Sequence, residues 1–235
     1  MKIEALEKRI KTLENQVKEQ QNQISIFRDI EDIKRLQRAY GYYLENWMAQ
    51  EVIDCFANGP DVRLEIALGN FVGKEGVKRF FNTYLDQREH PSREFLHMVM
   101  QLSGIVDVDP DGNTAKGRWY AWGAIALPRK DGIHQAYMGG IYAADYVKQN
   151  GKWRIKILKF HPKISSRPSN GWVKPEKVAS DDAESRRVPP IEPDAHRPFD
   201  THYPSGFISP FHFKHPVTGK VTSDKRRNAS MNFKV

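Results

Sequence analysis

Residues 93–161 constrain this chain more than any other segment, because they read as four long β-strands in succession: REFLHMVMQLSGIVDV, NTAKGRWYAWGAIAL, IHQAYMGGIYAADYVK and KWRIKILKFH. The joints carry turn chemistry, DPDG at 109–112, PRKDG at 128–132 and QNG at 149–151, and each is short enough to close a hairpin. A meander of strands this long must curl, and one face of a curled sheet encloses a hollow. His97, Trp119, Tyr120, Trp122, His134, Tyr137 and Tyr142 lie on these strands. Such a titratable, aromatic set suits either a small-molecule pocket or an aromatic-rich core.

The 27 residues at the start obey a different period. Ile3, Ile10, Val17 and Ile24 fall at one seam position of a heptad, and Leu6, Leu13, Gln20 and Phe27 at the other, with Glu, Lys, Gln and Asn between and no Pro or Gly. That pattern predicts a coiled-coil helix over 1–27 and, since a lone helix would leave its stripe in water, a homo-oligomer. A helix lying on its own domain is the alternative. Ile and Val at one position with Leu at the other lean towards two strands.

A second helix is predicted from about Asp29 to Met48, with Ile30, Ile33, Leu36, Tyr40, Leu44 and Trp47 at helical spacing, and a short third from Gln50 to Ala57, ended by Asn58-Gly59-Pro60. VRLEIAL (62–68) alternates as a strand, and NFVGKEGVKRFFNTYLDQ gives a tight turn and a helix to about Gln87. Helices, strand, helix, then four strands is the order of an α+β fold: helices over one face of a curved antiparallel sheet, preceded by the coiled-coil helix. From Pro162 onward the text changes. Ten of the fourteen prolines fall there, yet Tyr203, Phe207, Phe211 and Phe213 stand among them. Linkers are poor in aromatics, so 166–235 reads as an irregular arm whose 196–216 portion docks on the body or on a neighbouring subunit and closes over a pocket. The expected division is thus 1–27, 28–165 and 166–235.

Composition excludes several classes. No run approaches the ~20 apolar residues of a membrane span, and the first residues are charged rather than signal-like. The single cysteine, Cys55, rules out a disulfide framework and reads as a buried inert thiol, so a cytoplasmic protein of a reducing compartment is expected. The net charge of +8 is diffuse, and no zinc-finger spacing, phosphate-gripping loop or recognition helix appears, so no nucleic-acid partner is expected. No His/Asp/Glu cluster has metal spacing and no Ser-His-Asp order is legible, so neither metal nor cofactor is expected.

AYGYYLENW, then ANGPDVRLEI, FVGKEGVKRFF, FLHMV, GGIY and NGKWRIK follow one another in an order that resembles the SnoaL-like branch of the nuclear-transport-factor-two-like superfamily, over about residues 28–165. Domains of that branch form a cone of curved sheet and helices. Within it the chain is similar to scytalone dehydratases, trimeric lyases that need no cofactor, which implies a trimer rather than a dimer. The resemblance sets Glu45 where the first helix carries a carboxylate into the cone, normally an aspartate. It also sets His97 at the pocket histidine and Tyr142 at the pocket asparagine. The tyrosine expected on the first strand falls at Ile66 and a second pocket histidine near Ile125, so the set that polarises water in the dehydratases is incomplete and the same substrate is not expected. The layout with a long aromatic arm also resembles lignin-degradation enzymes that turn phenolic 1,2-diaryl-1,3-diols into a stilbene and formaldehyde.

These resemblances imply a cofactor-independent lyase on a small aromatic substrate. Its catalytic residues would be His97, Glu45 and Tyr142, and its substrate-binding residues Tyr40, Trp119, His134, Phe160, Tyr203 and Phe207. Histidine titrates near neutrality and serves as acid or base, and a carboxylate beside it would raise its basicity. Each residue also has a structural alternative: a satisfied core histidine, a solvated helix carboxylate, core tyrosines with bonded hydroxyls. A dehydratase or isomerase of another cyclic or polyketide substrate is the second functional expectation, and a non-catalytic binding or structural subunit the third. Strict alternation allows only one of Trp119 and the Arg118/Tyr120 pair to face the cone, and the dehydratase comparison makes it Trp119.

Overall fold

The computed structural model describes residues 2–85, 96–129, 131–167 and 193–195, with His212, Val221 and Ser223. The helices are α1 (Lys2–Glu45), α2 (Ala49–Asp54) and α3 (Gly73–Leu85). The strands are β1 (Arg63–Ile66), β2 (Gly69–Val72), β3 (Leu96–Val108), β4 (Thr114–Arg129), β5 (Gly132–Gln149) and β6 (Lys152–Ser166). The fold is α+β: one curved, unclosed sheet in the order β2-β1-β6-β5-β4-β3, with the packed helices against its inner face.

Each of the three expected meander hairpins closes, and β4 and β5 pair without interruption from Thr114↔Val147 to Arg129↔Gly132. At the QNG joint Asn150 and Gly151 take φ of 53° and 72°, the left-handed pair that a two-residue hairpin turn requires. Register shifts at Leu102/Ile105, Gly139/Gly140 and Asp145/Tyr146 bend the long strands inward. The shift at the glycine pair lies on the β6 side only. Seen from β4, β5 keeps its alternation, so His134 does share a face with Tyr142.

Four sequence expectations are corrected. The two helices expected over 1–27 and 29–48 are one, because nothing between them breaks a helix. The third, expected over Gln50 to Ala57, is the six-residue α2, and Phe56 instead bridges to Ile155. The strand expected over 62–68 is a hairpin, β1–β2, turned at Ala67-Leu68 and closed by the Ile66↔Gly69 pair, where Gly69 has φ 144°. The sheet is mixed rather than purely antiparallel, since β1 lies parallel to β6 through Arg63↔Ile157 and Leu64↔Leu158.

The core collects Ile33, Gln37, Tyr40 and Leu44 from α1, Val52, Ile53 and Phe56 around α2, and Val77, Phe80, Phe81 and Leu85 from α3. Against these the sheet sets Val99, Trp119, Tyr142, Tyr146, Trp153, Ile155 and Leu158. Each large apolar side chain fully removed from water contributes about 1.5–3 kcal/mol. Where α1 meets the sheet, Asp29 accepts the Trp153 indole N–H at 2.7 Å and pairs with the Lys148 ammonium, which also lies 4.8 Å over the Trp153 ring. Part of the tail returns to the body. Asn70 and Ala195 form a bridge, and Asp194 accepts the Val72 N–H at 2.7 Å and pairs with Arg79.

Candidate active site

The end of α1 is built to leave the helix axis without glycine. Met48 N–H reaches the Tyr43 carbonyl at 2.9 Å and Trp47 N–H the Leu44 carbonyl at 3.0 Å, the paired bonds of a Schellman motif. The residue at the left-handed position of that motif is Trp47, with φ 54°, where glycine is the common occupant. A bulky residue there stores strain of order 1–3 kcal/mol. The conformation drives the indole inward: Trp47 Nε1–H donates to His97 Nδ1 at 3.0 Å, and both residues are buried.

His97 stands near the start of β3, facing in. Its Nδ1 has a second neighbour, the Leu44 carbonyl oxygen at 3.2 Å. One nitrogen thus lies between a donor and an acceptor, and it can serve only one at a time. With Nδ1 bare, the indole bond forms and the neutral ring carries its proton on Nε2. With Nδ1 protonated, the carbonyl accepts and the bond from the Trp47 indole is lost. The Trp47 and Tyr84 rings flank the imidazole, with centroids 6.1 and 6.4 Å away.

One helical turn back from Leu44, Tyr40 lies edge-on to Tyr142 at 6.3 Å between centroids, and the two hydroxyls share a hydrogen bond. Burial drives both phenols well above the usual tyrosine range, and the nearby Tyr84 phenol pushes each further. These groups stay protonated and work as hydrogen-bond donors, not bases. Phe160 packs on the Tyr142 ring at 4.8 Å, and Phe56 and Phe81 close the wall behind Tyr40.

The structure thus brings His97, Tyr40, Tyr142 and Phe160 into one packed cluster, together with Trp47 and Tyr84, which sequence reasoning missed as site residues. Tyr84 hid within the ordinary apolar stripe of α3. Trp47 left a fainter signal: a turn is needed between α1 and α2, and residues 46–48 hold no glycine to make it.

The other expected residues stand apart. Glu45 ends α1 half-buried, and among the described residues it makes no hydrogen bond or ion pair, so the contact on His97 Nδ1 belongs to Trp47. Trp119 faces inward as expected, buried where Tyr120 is 60% exposed. A side chain on Gly104 would meet its ring at 2.0 Å, so that position must stay bare. Its indole is spent on a structural chain, however, donating to Tyr146 Oη, which donates to the buried Gln37 at 2.6 Å. His134 sits at the β4–β5 turn beside Asp131, Nε2 to Oδ1 3.2 Å. Tyr203 and Phe207 lie outside the described residues. Cys55 is buried with its thiol pushed up to about 11, as an inert core residue should be.

No group of three or more His, Cys, Asp or Glu side chains among the described residues could hold a metal ion. No described helix is long and apolar enough to cross a membrane. An open groove of about 540 Å³ between α1, α2 and β6 is lined by the charges of Asp32, Arg35, Glu51, Asp54, Lys152 and Arg154, and none of the site residues reaches it.

Solved structures share this architecture. A protein named as a candidate scytalone dehydratase from Novosphingobium aromaticivorans DSM 12444 aligns with a TM-score of 0.52 at 14% identity, over 63% of this chain and 93% of its own. A hexachlorocyclohexane dehydrochlorinase of LinA type 2 aligns at 0.53 and 13% identity, over 65% and 98%. The type 3 enzyme of Novosphingobium barchaimii LL02 aligns at 0.53 and 14%, over 65% and 99%. At such identities the likeness is one of fold. The sequence matches no curated protein. Residues 26–159, running from the last turn of the exposed part of α1 to the middle of β6, match the model of the SnoaL-like domain. That span contains every element carrying the imidazole and the tyrosines, and the chain belongs to the SnoaL-like family.

Proposed function

We propose that this protein is a lyase that works without a cofactor on a small phenolic substrate held among Tyr40, Tyr84, Tyr142 and Phe160. The observation that carries this reading is the buried His97, whose Nδ1 has both a donor and an acceptor within 3.2 Å. With Nδ1–H on the Leu44 carbonyl, Nε2 is the nitrogen that gives or takes a proton. A positioned acid–base group of this kind contributes about 10²–10⁴-fold. Protonated phenols beside it suit the binding of a hydroxyl or of phenolic oxygen in the substrate. Glu45, half-buried at the end of the same helix, is the carboxylate placed to tune the site once substrate is bound.

The reaction that uses these groups most fully is the conversion of a lignin-derived 1,2-diaryl-1,3-propanediol to a stilbene. The imidazolium Nε2–H protonates the benzylic hydroxyl, which leaves as water while the substrate's para-phenol releases its own proton to solvent, supplies the electron pair and becomes a quinone methide. The imidazole, now neutral, takes the proton of the terminal hydroxyl. The C–C bond breaks, formaldehyde departs, and the electron pair forms the stilbene double bond and a phenolate, which regains its proton from solvent. Water, formaldehyde and stilbene account for every atom of the diol, and no electron acceptor is consumed. A dehydratase on the same site would use the first half of this sequence alone.

The test is incubation of the purified protein, without additives, with phenolic diaryl propanediols, following formaldehyde and near-ultraviolet stilbene absorbance. Formaldehyde and stilbene in equal amounts, lost with His97→Asn by about 10²-fold or more in kcat while the fold persists, is the expected result. Water loss without formaldehyde would reassign the chain to the dehydratases. Wild-type kcat in His97→Asn would remove His97 from the mechanism.

A further inference from the structure

From Ile3 to Arg28, every residue of α1 is exposed. Its seam is nevertheless apolar: Ile3, Leu6, Ile10, Leu13, Val17, Ile24 and Phe27 stand between 49 and 72% in solvent. The core of the cone draws on none of them, so this face has no role in packing the described body of a single chain. We propose that it docks on the same face of a second copy, with the two helices parallel and in register.

The occupant follows from the spacing, since a strict heptad fits a helix carrying the same heptad, and this chain supplies one. Orientation follows from Gln20, the polar residue among the eight seam positions. In a parallel pair in register, Gln20 faces the partner's Gln20, and each amide both donates and accepts. Turned antiparallel with the same overlap, Gln20 falls opposite the partner's Ile10, twice per pair, leaving two buried amides unbonded and the pair correspondingly weaker. Flanking charge does not reverse this. Among the described side chains, the parallel pair sets Arg9 beside the partner's Glu14, and the antiparallel pair sets Glu7 beside the partner's Arg28, one kind of ion pair in either case. Gln20 therefore decides. Parallel helices bring both cones to the same end of the rod, so the two candidate sites lie side by side.

Cysteine cross-linking of the full chain tests the arrangement. Cys55 is buried with its thiol pushed up to about 11, so wild-type protein is the blank. Under mild oxidation, Phe27→Cys alone and Ile3→Cys alone should each give a covalent dimer. In the antiparallel alternative neither would link alone, since the two thiols introduced by Phe27→Cys would lie ~36 Å apart along the rod, while an equal mixture of the variants would. Light scattering of the wild type should give the mass of two chains, and the three chains that the scytalone dehydratase resemblance implies would overturn the pairing. A monomer, or cross-linking confined to the mixture, overturns the proposal. Gln20→Leu should let the mixed Ile3→Cys/Phe27→Cys link appear. If orientation is as strict without the amide, Gln20 is not what sets it.

Discussion

The two halves of α1 obey the same helical geometry and end in opposite circumstances. Before Asp29 the apolar residues repeat every seven positions and face water; after it Ile33, Gln37, Tyr40 and Leu44 follow at helical spacing and are buried. Continued past Phe27, the heptad would place Glu31 and Lys34 at the seam; instead the stripe returns one residue early, at Ile30 and Ile33. A shift of one residue turns the apolar face by about 100°. The turn falls at Asp29, where Trp153 and Lys148 pin the helix to the sheet. A helix can therefore change partner without changing conformation. The phase of its apolar pattern, not a break in the chain, marks where one partner ends and the next begins.

The sharpest way to break this comparison is to truncate one side chain in each half. Ile33→Ala, at a position with no exposure, should cost about 2–5 kcal/mol in denaturant unfolding. Leu13→Ala should leave the unfolding of the cone unchanged and weaken only self-association, seen as a concentration-dependent mass. Equal losses in both variants would mean that the halves are not independent.

The boundary itself comes next. Asp29→Ala strands the Trp153 N–H and a half-buried ammonium, and should destabilise by about 3 kcal/mol, with the lower half of α1 gaining hydrogen exchange. A loss under about 1 kcal/mol, the scale of one ordinary hydrogen bond, would show that the shift of phase, not the clamp, positions the helix.

High pH separates the halves in another way, because the buried phenols belong to the packed half and the sheet it covers. Tyr40, Tyr142 and Tyr146 are raised in the folded state. Their contribution is complete below the unfolded tyrosine value of about 10 and falls as pH rises beyond it, since the unfolded chain releases those protons first. Stability of the cone should drop as pH climbs from about 10 to about 12, and Tyr146→Phe should soften that slope in a urea series. An unchanged slope would mean that this phenol ionises freely in the fold.

The smallest expected effect is at the end of the packed half. Trp47→Phe removes one hydrogen bond, worth about 1 kcal/mol, and with it the contact that only a bare Nδ1 can accept. The imidazole NMR titration of His97 should then move to higher pH, and the alkaline limb of the pH–rate profile, where the protonated acid is lost, should move with it. A Trp47→Phe titration that overlays the wild type would reduce Trp47 to packing.

The meander was legible because its evidence is local: DPDG, PRKDG and QNG fix three turns, and strands between such turns can only pair in sequence. The β1–β2 hairpin was not, since four-residue strands give alternation too little length to register. The parallel β1/β6 contact is a tertiary choice with no local signature. Within the site, His97 and Tyr142 could be named because the family resemblance sets them at pocket positions, and Tyr40 because it falls on the apolar face of a periodic helix. Trp47 could not, because its direction is set by a left-handed cap that propensity assigns to glycine.

That cap has a consequence for anyone who would stabilise this protein. Position 47 invites Trp47→Gly, which would relieve the strained backbone by the standard route to a better helix end. The exchange would relieve about 1–3 kcal/mol of strain but strip a buried indole from the core, at a cost of about 3–5 kcal/mol, and leave the imidazole harder to aim. The strain at residue 47 is thus sustained by the packing it makes possible, and the usual repair of a helix end would here weaken the fold and the site together.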